Sequence, residues 1–209
     1  NLGISYTSHG NYDKAIQCFK KAQQFNPSYA STYYGMGIVY NKNGNFKEAI
    51  NCFKKVVSLN PDHANTYYQM GLAYQKQGEQ DEAVANFRKA INFNPKHTGA
   101  YLSLGLDAAE HGNNDEAIDL FKKVVEINPN HANAFCYTGK AYGNNMDYDK
   151  AIEYFLKATE INPNHIDAYL NLGLAYLEKD MNSKAIAAFQ KVISINPYHV
   201  DAYNHLGET

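Results

Sequence analysis

The chain has 209 residues, 44% of them hydrophobic and 19% charged, with a formal net charge of −2 and a pI near 6.5. That composition suits one large globular domain or two small ones and excludes a disordered tail. No run approaches the roughly 18 apolar residues that would span a bilayer, and the dispersed Lys and Arg leave no basic footprint for a phosphate backbone, so neither membrane insertion nor nucleic acid binding is expected.

All six prolines, Pro27, Pro61, Pro95, Pro129, Pro163 and Pro197, lie 34 residues apart, and each follows an Asn. A fixed period of this length marks a repeat array, in which each unit buries its core only against its neighbours. From the N-terminus, a partial first helix runs to Gly10, and Asn11 opens a second helix that Asn26-Pro27 closes. The next unit starts at Ala30. Tyr33, Met36, Gly37 and Tyr40 step at i, i+3, i+4, i+7, and Ala49, Phe53 and Val56 keep the same helical stride after Gly44. Gly44 suits the left-handed residue that closes the first helix, and Asn45 suits the cap of the second. The second helix ends at Asn-Pro because the residue before proline avoids the α region and proline has no amide hydrogen.

Repetition of this pattern divides the chain into a partial unit 1–29, five full units 30–63, 64–97, 98–131, 132–165 and 166–199, and a partial unit 200–209. That makes seven first helices and six second helices in a single array. Both ends fall inside a unit, so a fragment of a longer protein is expected. Gly3, Gly37, Gly71, Gly105, Gly139, Gly173 and Gly207 recur inside the first helices, where glycine costs about 1 kcal/mol relative to alanine. Close approach of the paired helix is the expected compensation. Ala15, Ala49, Ala83, Ala117, Ala151 and Ala185 form the matching small ladder, and Phe19, Phe53, Phe87, Phe121, Phe155 and Phe189 fill the space one turn later.

These residues resemble the tetratricopeptide repeat (TPR) family, with its helix-turn-helix unit, aromatic-x-x-Leu-Gly-x-x-Tyr first helix, Ala-x-x-x-Phe second helix and closing Pro. The resemblance covers the whole chain. The aromatic slot reads Tyr33, Tyr67, Tyr101, Phe135, Tyr169 and Tyr203; the later slot holds Tyr6, Tyr40, Tyr74, Tyr142 and Tyr176. Ala108 departs from the second slot, Thr138 replaces the Leu before Gly139, and Met146 and Asp180 replace the turn glycine. The resemblance implies an all-α, right-handed superhelical solenoid whose first helices line a concave groove that binds a peptide or helix.

Catalytic and metal chemistry find no constellation. His63, His97, His131, His165 and His199 recur once per unit just before each first helix, two helix layers apart, too far to share an ion that needs ligands at about 2.0–2.1 Å. They read as helix-start residues, with a pH-sensitive edge as the functional alternative. Cys18 and Cys52 occupy equivalent sites in neighbouring units and read as apolar filler; no C-x-x-C pair suggests zinc. The ladder Lys21, Lys55, Lys89, Lys123, Lys157 and Lys191 reads as a solvated face that favours the helix C-terminal dipole. The expectation is no enzyme, no metal and no cofactor. With no signal peptide and no glycosylation sequon, a cytoplasmic, intracellular setting is expected.

The face of the first helices that lines the groove in TPR proteins carries Tyr34 and Ile38, Tyr68 and Leu72, Leu102 and Leu106, and Leu170 and Leu174, each pair at i, i+4. These eight would form one apolar stripe, the kind of surface that marks an interaction site. The unit from Ala132 breaks it with Asn133, Cys136, Tyr137, Lys140 and Asn144, a polar island suited to fixing specificity. Along the rim, Lys42 and Lys76 give way to Glu110 and Glu178, with Asp167 and Asp201 opposite.

Two TPR subtypes fit poorly. Tyr34, Ile38, Tyr68 and Leu72 stand where co-chaperone domains clamp an acidic C-terminus with Lys, Asn and Arg. The inner ladder that is Asn in O-linked N-acetylglucosamine transferases reads Asn1, Gly35, Gln69, Ser103, Tyr137, Asn171 and His205 here. The function expected is therefore a protein-interaction scaffold in which Tyr34, Ile38, Tyr68, Leu72, Leu102 and Leu106 anchor a partner segment and Lys140 and Asn144 add polar contacts. The alternatives are the recruiting arm of a multidomain enzyme such as a transferase, or a structural part of a larger cytoskeletal, ciliary or transport complex.

Overall fold

The computed structural model describes residues 2–209; the Asn1 position of the inner ladder lies outside the described residues. In chain order the helices pair as α1 (Leu2–Ser8) with α2 (Tyr12–Phe25), α3 (Ala30–Lys42) with α4 (Phe46–Leu59), and α5 (Ala64–Gln77) with α6 (Gln80–Phe93). α7 (Thr98–Glu110), α8 (Asn114–Ile127), α9 (Ala132–Asn144), α10 (Tyr148–Ile161), α11 (Ile166–Leu177), α12 (Asn182–Ile195) and α13 (Val200–Glu208) follow. There is no strand among the described residues, and each full repeat is one helical hairpin. The chain forms two compact units, the first ending at Ala100 and the second running Tyr101–Thr209.

The glycine and phenylalanine ladders meet directly. A Cβ placed on Gly71 or Gly105 would stand 2.5 Å from the ring of Phe87 or Phe121 respectively, and Gly139 would meet Phe155 at 2.7 Å. The glycine is thus set by the ring it receives, a more specific cause than close approach of the two backbones. Phe53, Phe87, Phe121 and Phe189 are fully buried in this way, each worth roughly 1.5–3 kcal/mol of apolar burial. Second helices such as α4 carry one apolar face, whereas α3 is apolar nearly all round. A helix covered on both flanks needs no polar side there.

Every turn between a first and a second helix has one geometry, including those where the sequence departs from glycine. Gly10, Gly44, Gly78 and Gly112 have φ between 72° and 80°, and Met146 (60°) and Asp180 (55°) adopt the same left-handed conformation. The residue after each donates its N–H back to the carbonyl of the second tyrosine slot: Asn45 to Tyr40 at 2.9 Å, Asp147 to Tyr142 at 3.0 Å, Met181 to Tyr176 at 2.8 Å, and Asn113 to Ala108 at 2.8 Å. The bond uses backbone alone, so Ala108 serves as well as Tyr. Thr138, in place of Leu, is buried and donates its hydroxyl to the Ala134 carbonyl at 2.8 Å.

Two local expectations need correction. Asn45 and Asn113 stand at the cap position but their side chains accept no capping hydrogen bond; Asn11 and Asp147 do, from Lys14 and Lys150 N–H at 3.4 and 3.3 Å. The lysine ladder lies before the last turn of each second helix, where no basic residue is found, and so gains little from the dipole. Two of its members cover first-helix tyrosines instead: Lys89 Nζ lies 5.8 Å from the Tyr67 ring centre and Lys191 6.0 Å from that of Tyr169; Lys157 lies over Tyr154 of its own helix and Lys123 pairs with Glu126.

The Asn of five of the six Asn-Pro steps has a second task. Its backbone ends the helix in an extended conformation, and its side-chain oxygen accepts the N–H two residues on, as in Asn26 to Ser28 (3.1 Å) and Asn94 to Lys96 (3.0 Å). This Asx turn starts the link to the next first helix. There a histidine takes over: Nδ1 of His97, His131, His165 and His199 accepts the N–H of Ala100, Ala134, Ala168 and Ala202 at 3.1–3.4 Å. Four of the five ladder histidines are thus side-chain N-caps, while His63 stands at the same position with its Nδ1 2.7 Å from the Thr66 hydroxyl instead.

Candidate groove face of the first helices

Residue 35 and its repeat equivalents Tyr137, Asn171 and His205 decide how open this face is, because they lie beside the phenylalanine of the preceding second helix. In the second unit, Tyr137 lies tilted against Phe121 with ring centres 5.5 Å apart, and His205 stacks on Phe189 at 5.3 Å. Gly35 has no side chain to do this. A Cβ there would already meet Phe19 Cζ at 2.6 Å, so the ring fills the near space and leaves the space beyond it open. The result is a cavity of 390 Å³ between α1 and α3, floored by Phe19 and walled by Ile4, Tyr34 and Ile38, with Lys42 at its rim.

A second cavity, of 410 Å³, opens at the equivalent place between α9 and α11. Its slot residue, Asn171, is present but turned away: Nδ2 donates to the Asp167 carbonyl at 2.6 Å, one turn back on its own helix. Phe155 is left at the floor. Lys140, Asn144, Leu174 and Glu178 surround it, so this cavity is lined by both charges where the first has only Lys42.

The ten residues singled out from the sequence thus fall into three groups. Tyr34 and Ile38 line the first cavity; Lys140, Asn144 and Leu174 line the second. Tyr68, Leu72, Leu102, Leu106 and Leu170 line neither. Most of the apolar ones are half-buried and also pack. Tyr34 lies 5.9 Å from Phe53 and 5.3 Å from His63; Tyr68 lies 5.8 Å from Phe87 and 4.7 Å from His97. Leu102 packs on the cluster around Phe121, and Leu170 and Leu174 on that around Phe155 and Phe189. Leu106 is the most open, at 38% exposure.

The polar island loses one member and gains a network. Cys136 is buried with the core of the second unit rather than facing the groove, because its position falls on the side of α9 that meets the neighbouring helices. Asn144 Nδ2 donates to Asn114 Oδ1 at 3.3 Å, Asn114 donates to Asn145 at 3.0 Å, and Asn145 to Asp115 at 2.8 Å. Burial pushes the thiols of Cys52 and Cys136 up to about 11, which keeps both protonated at neutral pH and poor nucleophiles. Burial also holds the His165 imidazole below its ordinary value, opposed by Asp167 and assisted by Lys140; its Nε2 is buried without a partner.

Sequence reasoning missed Ile4, Phe19 and the opening role of Gly35. The signal was present: within the inner series only position 35 is glycine. No helix of the described residues is long and apolar enough to cross a membrane.

Tetratricopeptide repeat family models match residues 28–96, 68–132, 132–165 and 166–199, and a TPR repeat model matches 3–44. No curated protein matches the chain significantly. Among solved structures, YrrB, described as a TPR protein with an unusual peptide-binding site, is 26% identical over 90% of this chain and 97% of its own, with a TM-score of 0.76. MamA is 31% identical over 78% of this chain and 95% of its own, with a TM-score of 0.71. PilF of Pseudomonas aeruginosa shares the fold at 18% identity, covering 100% of this chain and 95% of its own, with a TM-score of 0.83.

Proposed function

Because the chain belongs to the tetratricopeptide repeat family, we propose that it is a protein-interaction scaffold that holds a peptide or helical segment of a partner against its first helices. Its mechanism is binding, not turnover. The observation that carries this reading is the pair of cavities at equivalent repeat positions, 390 and 410 Å³, each with a phenylalanine in its lining over which the inner slot places no ring. Volumes of this size suit side chains of a ligand, and concave apolar surfaces with few polar groups are the usual form of a binding site. The similar protein YrrB is described as having a peptide-binding site, which supports a peptide as the ligand class.

In the first unit Tyr34, Ile38, Tyr68 and Leu72 supply apolar contact. In the second, Leu102, Leu106, Leu170 and Leu174 do so, with Lys140 and Asn144 as polar contacts. A displayed peptide library selected on the whole chain provides ligands, whose affinities are then measured on Ile38→Glu and Leu106→Glu. Loss of about tenfold or more in at least one variant, with helicity unchanged, is the expected result. Unchanged affinity in both would assign these residues to packing alone. The reading as a structural part of a larger assembly draws on Phe25 and Tyr198, each 90% exposed; it would gain if Phe25→Ser and Tyr198→Ser, rather than the groove variants, released the partner.

A further inference from the structure

The repeat itself shows what fits the first cavity. Where the inner slot is occupied by a ring, that ring lies on the phenylalanine below: Tyr137 on Phe121 at 5.5 Å with an interplanar angle of 32°, His205 on Phe189 at 5.3 Å and 26°. At Gly35 the same phenylalanine position, Phe19, is present and the covering ring is missing. The rest of the wall is mostly apolar, with the Ser31 hydroxyl as a further polar group in the lining. Ile4, Tyr34 and Ile38 face the space, and the hydroxyls of Thr7 and Ser8 are turned to their own helix, donating to the Gly3 and Ser5 carbonyls at 2.7 and 2.9 Å. Lys42 at the rim is exposed, makes no ion pair among the described residues, and has no carboxylate beside it in the lining. An uncompensated ammonium at the mouth of an apolar cavity attracts a carboxylate.

We propose, on the premise that the groove binds peptides, that this cavity is an aromatic-anchor pocket: it takes the Phe or Tyr side chain of a partner segment onto Phe19, while an Asp or Glu adjacent to that aromatic residue pairs with Lys42. An aromatic ring is favoured over an aliphatic chain because offset ring stacking adds to area burial. The acidic neighbour fixes the direction in which the segment lies. The pocket exists because glycine occupies position 35, which separates this unit from the neighbouring one, where Gln69 takes the slot.

The test uses the whole chain and four short fluorescent peptides that differ only in a central Phe-Asp, Leu-Asp, Phe-Lys or Ala-Asp pair. Phe-Asp is expected to bind about tenfold more tightly than Leu-Asp or Phe-Lys. Gly35→Gln, whose Cβ makes the Phe19 ring shift and whose side chain fills the cavity, removes the advantage of Phe over Leu in a chain whose helicity and urea midpoint show it still folded. Lys42→Glu, a surface change, reverses the order of Phe-Asp and Phe-Lys. Equal binding of Phe-Asp and Leu-Asp, no binding of any probe, or a Phe preference that survives Gly35→Gln would overturn the assignment. A concentration-dependent dimer in sedimentation that Gly35→Gln abolishes would overturn it in favour of a second copy as the occupant. Aliphatic peptides that bind and are lost in Ile38→Glu would overturn the aromatic pocket while leaving the groove reading intact; failure of the library selection as well would remove both.

Discussion

The two cavities arise at the same slot of the repeat by opposite means. In the first unit Gly35 supplies no side chain; in the second Asn171 supplies one and bends it onto the Asp167 carbonyl. Where the slot holds Tyr137 or His205, a ring covers the phenylalanine. The slot meets the ring from the groove side: at Gly35 there is no room for a Cβ beside Phe19, whereas Tyr137 and His205 lay a second ring on theirs. One slot of the array thus admits opposite solutions while the glycine ladder seats each phenylalanine from the other side.

The turns show the reverse arrangement. The first unit has glycine at each left-handed turn, whereas the second has one glycine and two strained residues, Met146 and Asp180. Identical backbone bonds hold all of them. Here the geometry is fixed and the residue is forced to comply.

The largest effect that would test the contrast between covered and open rings is at the phenylalanines. Phe121→Ala, beneath Tyr137, is expected to cost about 3–5 kcal/mol, and Phe19→Ala, which already borders a cavity, less, both read from urea midpoints. Equal losses would mean that the slot residue contributes nothing to the ring's burial. Next, Met146→Gly and Asp180→Gly are each expected to stabilise the second unit by about 1 kcal/mol, since a left-handed non-glycine residue carries a cost of that order. No gain in thermal stability would show that other contacts have absorbed the strain.

A smaller effect concerns acid. His165 accepts the Ala168 N–H through Nδ1 and is held below its ordinary value of 6.5 by burial. The unfolded chain therefore binds this proton first as pH falls. Its contribution is complete above about 6.5 and is lost as the pH drops from there through the lower folded value. His165→Asn keeps a capping acceptor and removes the titration, so its stability is expected to fall less steeply between about pH 7 and 5. An unchanged slope would place the acid sensitivity elsewhere, His97 being the next group held low by burial.

The helical hairpins and their 34-residue period were legible because the ladders repeat and every copy reinforces the pattern. The shared turn at Ala108, Met146 and Asp180 was not, since it rests on backbone bonds that leave no trace in side-chain identity. The lysine ladder is mostly solvated, as expected, but not placed for the helix dipole, and the tyrosines that Lys89 and Lys191 cover stand on another helix, which a single-helix pattern does not show. Cys136 shows the limit of a helical wheel drawn for one helix, because a first helix has two buried flanks. Of the ten candidate residues, Tyr34, Ile38 and Leu174 stand at the apolar i, i+4 spacing and Lys140 and Asn144 at its polar break, and these five line the cavities, but the cavities themselves come from what is missing at Gly35 and turned aside at Asn171.

The most direct test is to titrate the isotope-labelled chain with a peptide from the library selection and follow its backbone amide resonances. Binding at the two cavities should move Gly35, Ile38 and their neighbours, or Asn171 and Leu174, more than any second-helix amide. Shifts concentrated instead on the lysine face around Lys55 and Lys89, with Gly35 and Asn171 still, would contradict it.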